Sequence, residues 1–477
     1  MSKFNPNTAT TRTTNLAGGR AISMRPEQEL IHAVLSTFLE DKYYESGDAR
    51  IARISSLVVS CSPKFVSNLA IIARKEFNLR SVVTLLISEL SKIHRGDSLV
   101  KDTIVSACMR VDDLTELVAL VGKPLPKQVK RGIRNALLKF NRYQLAKYKA
   151  EGKGVSLVDV FNLVHPKAQF ATDEQKQAWK DLMEGNLASF DTWETEISNA
   201  KDDEDRTQKW EKLIADRKMG YMAILRNLNN FIKYHLSDES IDAVCKILTD
   251  PQEVAKSKQL PFRFTTAYEN VIGNRKFSNA ISEAMDLAVA NTPELPGRTL
   301  IGIDSSGSMG GDPIKKASIF GATLAKANIN ADVILYDTKV KEAAFSSRIP
   351  VVDFAARIVA EAMGGGTETS LVFQYALQKG IKYDRFIIIS DNESWSEGYG
   401  RSVQQVYEYY KNQTSTDPFV YAIDIQGYGT KDVTGSKVFH LTGWSNRLLD
   451  FVAHAEKGES LVNYVRNYET AHQPVQK

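Results

Sequence analysis

The chain has 477 residues, 43% hydrophobic and 25% charged, which is long for one core and excludes a mostly disordered chain, a fibrous repeat and a disulfide scaffold. Its three cysteines (Cys61, Cys108, Cys245) are scattered, no apolar run reaches the ~18 residues a bilayer span needs, and the first twenty residues lack the apolar core of a secretion signal, so a soluble cytoplasmic protein is expected. The net charge of +4 hides an asymmetry: residues 1–170 hold 26 Lys and Arg against 15 Asp and Glu, residues 171–296 hold 16 against 22, and residues 297–477 hold 19 against 20.

A basic first third points to a localised polyanion surface, the other reading being solvated helix faces. In chain order, residues 1–24 are rich in Thr and Asn, lack apolar periodicity and read as a flexible N-terminal arm. Residues 25–291 read as helical throughout. Ala70, Ala73 and Phe77 share one face of a segment running from Lys64, and Val82, Leu85, Leu86 and Leu90 mark the next. Further segments are expected near 97–109, 112–121, 126–145 and 156–164. Helix pairs at a spacing of about 40 residues suggest a HEAT-like α-solenoid, with an irregular helical domain as the alternative. Asp202-Asp203-Glu204-Asp205 reads as an exposed acidic loop or a helix start.

Two prolines and a glycine in Thr292-Pro293-Glu294-Leu295-Pro296-Gly297 end the helical texture. Over residues 292–477, apolar runs at 299–304, 331–337, 385–391 and 419–425 alternate with helical patterns, including one opened by Pro313 and one around 353–363. That alternation predicts a doubly wound parallel sheet, so the fold class is α + α/β.

The first of these strands ends in Asp304-Ser305-Ser306-Gly307-Ser308, a later loop reads Gly364-Gly365-Gly366-Thr367-Glu368-Thr369, and the third strand ends in Ser390-Asp391. All three lie at the carboxyl ends of predicted parallel strands or just before helices, where open α/β sheets place their ligands. Two carboxylates and three hydroxyls make an oxygen-only set suited to Mg²⁺; a loop that merely caps the following helix is the bland reading. The order DxSxS, Thr, Asp resembles the metal-ion-dependent adhesion site of von Willebrand factor A domains. By that resemblance Ser306 and Ser308 coordinate the ion directly, while Asp304, Thr367 and Asp391 bind it directly or through water.

Between Lys127 and Lys153 stand nine basic residues and one acidic residue, Glu151. At 100° per residue Lys127, Lys130, Arg131, Arg134 and Arg142 fall on one helical face and Val129, Ile133, Ala136, Leu137 and Phe140 on the other. Such a stripe suits RNA or DNA binding, and Tyr143 and Tyr148 could stack on unpaired bases or simply pack. The segments 65–92, 112–149, 155–167 and 260–268 resemble the TROVE module of Ro ribonucleoproteins, a family whose other half is a C-terminal von Willebrand A domain.

The resemblance implies a ring of helical repeats joined by the A domain, which would favour a monomer. It implies Y RNAs on the outer face and single-stranded RNA ends in a basic central hole. It also implies RNA-facing roles for Lys127, Lys130, Arg131, Arg134, Arg142 and Lys149, with contributions from Arg74, Lys75, Arg80 and His165. His165 matches a family histidine, its other reading being an ordinary helix-end residue before Pro166. Leu157 stands where animal members carry a histidine and Val155 replaces an aromatic residue, which suggests a bacterial or phage-type member.

No phosphate-binding loop, nucleophile elbow or HExxH motif is present, and the seven histidines lack metal-ligand spacing. The expected function is a non-catalytic RNA-binding scaffold in RNA quality control or processing, with an exoribonuclease tethered through RNA. The alternative is a Mg²⁺-dependent module that grips an acidic protein ligand.

Overall fold

The computed structural model describes residues 12–14, 20–35, 47–148, 154–188, 192–292, 294–344, 346, 348–394, 401–428, 430–442 and 461–468. The chain divides into two compact units, one of residues 25–195 with 459–477, the other of residues 1–24 with 196–458. Among the described residues no helix is long and apolar enough to cross a membrane.

The first unit is helical. Pro63–Lys75 opens with Pro63 in its first turn and Ser62 as its cap, the hydroxyl accepting from Phe65 N at 3.3 Å. It buries Phe65, Val66, Leu69 and Ile72 and packs on helices Ser81–Ile93 and Leu99–Ala107. Leu99–Ala107 packs in turn on Lys127–Leu137, where a Cβ on Gly132 would come within 2.7 Å of Ile104 Cδ1. Only glycine lets the two helices approach that closely. The C-terminal helix Leu461–Asn467 belongs to this unit, because buried Asn68 donates through Nδ2 to Val465 O (2.9 Å) and Arg466 O (3.3 Å).

The segment expected as one helix over 126–145 is two, Lys127–Leu137 and Arg142–Lys147. Asn141 accepts from Gln144 N at 2.9 Å while the Gln144 side chain accepts from Asn141 N at 3.1 Å. This reciprocal capping box starts a new helix and removes Arg142 from the face that carries Lys127 to Arg134.

In the second unit six helices, Asp203–Ala215, Tyr221–Lys233, Asp238–Leu248, Pro251–Ser257, Thr265–Val271 and Arg275–Ala288, precede a six-stranded sheet. Asp202 caps the first of them, accepting from Asp205 N at 2.8 Å, so the acidic run is a helix start. The strands of the unit are β1 (Arg12–Thr14), β2 (Arg20–Ser23), β3 (Thr299–Asp304), β4 (Ala331–Tyr336), β5 (Val340–Glu342), β6 (Arg385–Ser390), β7 (Phe419–Asp424), β8 (Thr430–Lys431) and β9 (Val438–Thr442).

The sheet runs β5-β4-β3-β6-β7-β9, parallel except for β5, which pairs antiparallel with β4. The sheet is therefore mixed at one edge rather than wholly parallel. Helices Asp312–Ala327, Val351–Ala360, Ser370–Lys379 and Val403–Thr414 complete the layers. All six residues of β3 and of β6 are buried, as expected for central parallel strands.

The change of texture near residue 292 is not where packing divides. Asp286 on the last of the six helices accepts from Lys326 Nζ at 2.7 Å and Val351 N at 2.9 Å. Part of the segment expected as a flexible arm is strand: β1 pairs antiparallel with β2, and β2 with β8. Local pattern could not show this, because the partner strand lies some four hundred residues downstream.

Candidate metal centre and basic surface

Three loops meet at the carboxyl ends of β3 and β6. Gly364 N donates to Ser305 O at 2.8 Å and Gly307 N to Gly365 O at 2.9 Å, pinning the Gly-rich loop against the Ser-rich one. Gly364 takes φ = 79°, and Gly365 N reaches Asp337 Oδ2 at 2.9 Å with no room for a Cβ. The glycines that read as a loop signal are therefore required by the turn and by this close approach.

Asp304, Ser306, Ser308, Thr367 and Asp391 are all buried at this end of the sheet. Asp304 Oδ1 accepts from Ser306 N at 2.9 Å, and Asp304 Oδ2 accepts from Ser390 Oγ at 2.7 Å. The hydroxyls of Ser306 and Ser308 are 3.2 Å apart. Asp391 Oδ1 accepts from Glu393 N at 3.2 Å, while its buried Oδ2 has no hydrogen-bond partner among the described residues. Thr367 is held through its carbonyl by Ser394 Oγ at 3.4 Å.

Burial pushes the Asp304 carboxyl up to about 6, against the lowering effect of the Ser390 and Ser306 hydrogen bonds. Burial, and next the neighbouring Asp304, raise Asp391 well above the usual carboxylate range. Two buried carboxylates that repel each other, one with an unsatisfied oxygen, form a set that a hard cation would relieve. These five residues could hold one.

Ser390 and Asp432 were not singled out from the sequence. Ser390 ends a continuously buried apolar strand and read as its boundary, and Asp432, which accepts from Thr369 Oγ1 at 3.1 Å, follows a two-residue strand with no motif around it.

On the helical unit, Lys127 and Arg131 are exposed and Lys130 half-buried on one face of Lys127–Leu137, opposite buried Val129, Ile133, Ala136 and Leu137. These three cations, and exposed Lys75, make no ion pair with a carboxylate among the described residues. Arg134 donates through Nε to Val164 O, covering a terminal carbonyl of helix Leu157–Val164.

Other members of the expected set are engaged elsewhere. Arg74 is buried against Asp113 at 3.1 Å, Arg80 pairs with Asp112 at 2.7 Å and Asp113 at 3.2 Å, and Arg142 pairs with Asp181. His165 is exposed in the left-handed conformation (φ = 47°) that closes helix Leu157–Val164. Lys149 lies outside the described residues. Tyr148 lies under the Arg110 guanidinium at 4.2 Å, and Tyr143 under Lys147 at 5.6 Å, so both rings already pack on cations.

Comparison with known proteins gives two matches to family models, the TROVE domain over residues 183–286 and the Ro60 vWA domain over residues 298–464. The chain is 26% identical over 267 residues to the RNA-binding protein RO60 of Caenorhabditis elegans, covering 51% of this chain and 41% of that one. It is 36% identical over 116 residues to telomerase protein component 1 of Rattus norvegicus, covering 24% of this chain and 4% of that one. The chain thus spans less than half the length of these relatives. The crystal structure of the Ro (Rsr) protein of Deinococcus radiodurans superposes with a TM-score of 0.66 at 15% identity, over 90% of this chain and all of that one, which shows a shared fold.

Proposed function

This chain belongs to the Ro family of TROVE proteins, and from that premise we propose that it is a non-catalytic RNA-binding protein acting as a ribonucleoprotein scaffold. It binds a small Y-like non-coding RNA and the single-stranded ends of misfolded or structured RNAs. It works in cytoplasmic RNA quality control or processing as a monomer, with an exoribonuclease tethered through the RNA. The observation that carries this reading is the face of Lys127, Lys130 and Arg131, charge without carboxylate partners among the described residues on a helix whose other side is fixed in the core. Phosphates supply most of the affinity, so binding falls steeply with salt, and RNA shape and free ends supply the specificity.

The sheet domain binds Mg²⁺ through Asp304, Ser306, Ser308, Thr367 and Asp391. With two formal charges from the protein, the bound ion can accept a carboxylate or phosphate from a partner. A second reading, Mg²⁺-dependent capture of an acidic protein ligand, is favoured by the unsatisfied Asp391 oxygen at this centre.

The deciding experiment measures binding of a structured RNA with and without a single-stranded 3′ tail across a salt series. Tail-dependent, salt-sensitive binding supports RNA scaffolding. Salt-insensitive binding, or equal binding of duplex DNA, defeats it. Capture of an acidic ligand that survives ribonuclease but fails in Asp304→Ala supports the second reading.

A further inference from the structure

The two loops that carry Thr367 and Asp391 share a support that contributes no candidate ligand. After β7 the chain returns through β8 and Asp432. The Thr430 hydroxyl lies 3.3 Å from Glu393 Oε1 and 3.4 Å from Asn392 O, on the loop that begins with Asp391. Two residues on, Asp432 reaches the other loop, accepting from Thr369 Oγ1 at 3.1 Å. Three residues, 430–432, therefore tie the loop after β6 to the Gly-rich loop.

This strap is anchored on both sides. β8 pairs antiparallel with β2, Ile22 opposite Lys431 and Ser23 opposite Thr430. Immediately after Asp432, Val433 enters the core beside Tyr407 and Val403, and its carbonyl lies 2.8 Å from His440 Nε2. Asp432 itself is only 6% exposed. Burying a carboxylate with so little compensation is costly, and a residue chosen for packing alone would be apolar.

We infer that Asp432 is a positioning residue of the metal centre: its hydrogen bond to Thr369 fixes the loop that presents Thr367, and the strap makes that loop and the Asp391 loop move as one. Residues that orient a metal's ligands commonly matter about 10–100-fold in affinity. The inference rests on the reading of the centre as a Mg²⁺ site.

The test is Mg²⁺ affinity of the full chain, by calorimetry and by the Mg²⁺-dependent rise in unfolding temperature, for wild type, Asp432→Ala, Asp432→Asn, Thr369→Val, the double variant Asp432→Ala/Thr369→Val and Asp304→Ala. Asp432→Ala and Thr369→Val should each weaken Mg²⁺ at least about 10-fold, and the double variant should be no worse than either alone, because both break one contact. Asp432→Asn, which keeps an acceptor for Thr369, should recover to within about 3-fold of wild type. Wild-type affinity in Asp432→Ala overturns the inference, and so does an Asn variant as weak as Ala, which would assign the effect to charge. A wild-type chain with no Mg²⁺ response defeats the metal reading itself and the inference with it. A response lost only in Asp304→Ala leaves the metal reading standing and defeats the inference alone.

Discussion

Ser390 donates to Asp304 Oδ2 at 2.7 Å, so the carboxylate at the end of β3 is held from the neighbouring strand β6. Removing that hydroxyl leaves a buried acceptor unsatisfied and frees the carboxylate to rotate. Ser390→Ala should cost about 1–3 kcal/mol of stability and weaken Mg²⁺ binding about 10-fold. Denaturant unfolding and calorimetry on one preparation check both.

The raised carboxyl of Asp304 makes the metal-free protein pH-dependent in a defined direction. Its folded value is about 6, against 3.8 for an ordinary aspartate. The folded state therefore binds the proton more tightly than the unfolded chain. The associated stability is full below about pH 4, is lost as pH rises through 6 and stays lost above it, an effect on the order of 3 kcal/mol. Unfolding temperatures between pH 4.5 and 7.5 should show this slope in metal-free wild type and a shallower one in Asp304→Asn, where buried Asp391 and Asp432 remain raised. Mg²⁺, which favours the ionised form, should restore stability at the upper end.

Lys127, Lys130 and Arg131 can be reversed in charge together without breaking an ion pair among the described residues. Changing all three to Glu should lower affinity for tailed RNA by more than about 10-fold at moderate salt. It should also reduce the slope of log affinity against log salt by about 2. Filter binding across a salt series measures both, with circular dichroism as the check on the fold. Arg134 is left out because its contact with Val164 O would confound the result.

Arg74 behaves differently. Its guanidinium lies buried on Asp113, which also accepts from Met109 N at 3.0 Å and Arg110 N at 2.9 Å. Arg74→Ala removes one of the two guanidinium partners of Asp113, which keeps Arg80 at 3.2 Å and two backbone N–H donors, and should cost about 1–3 kcal/mol. Affinity for RNA per folded molecule should stay within about 2-fold of wild type. A large affinity loss without a fall in unfolding temperature would assign Arg74 to the RNA surface instead.

Much of this architecture was legible in the sequence because it is written in local pattern. Apolar runs ending in Asp304 and Ser390-Asp391 gave β3 and β6, since a strand buried on both faces must be continuously apolar. Of the five candidate ligands, Asp304, Ser306 and Ser308 form a short-range motif, whereas Thr367 and Asp391, 63 and 87 positions after Asp304, joined them only through the resemblance to a von Willebrand A metal site. The basic stripe was legible as composition, yet not which cations stay available.

Tertiary structure decided the rest, because it turns on contacts between residues far apart in the chain. Arg74 and Arg80 meet Asp112 and Asp113 more than thirty residues on, and Arg142 meets Asp181. β2 pairs with β8, and Asp432 reaches Thr369 across 63 positions. The sequence by itself determined which residues prefer helix, strand or loop and which could ligate a cation, through periodicity and chemistry along the chain. Only the fold decided which charges are neutralised and which loops are held together, since those energies depend on burial and distance between segments that no local pattern encodes.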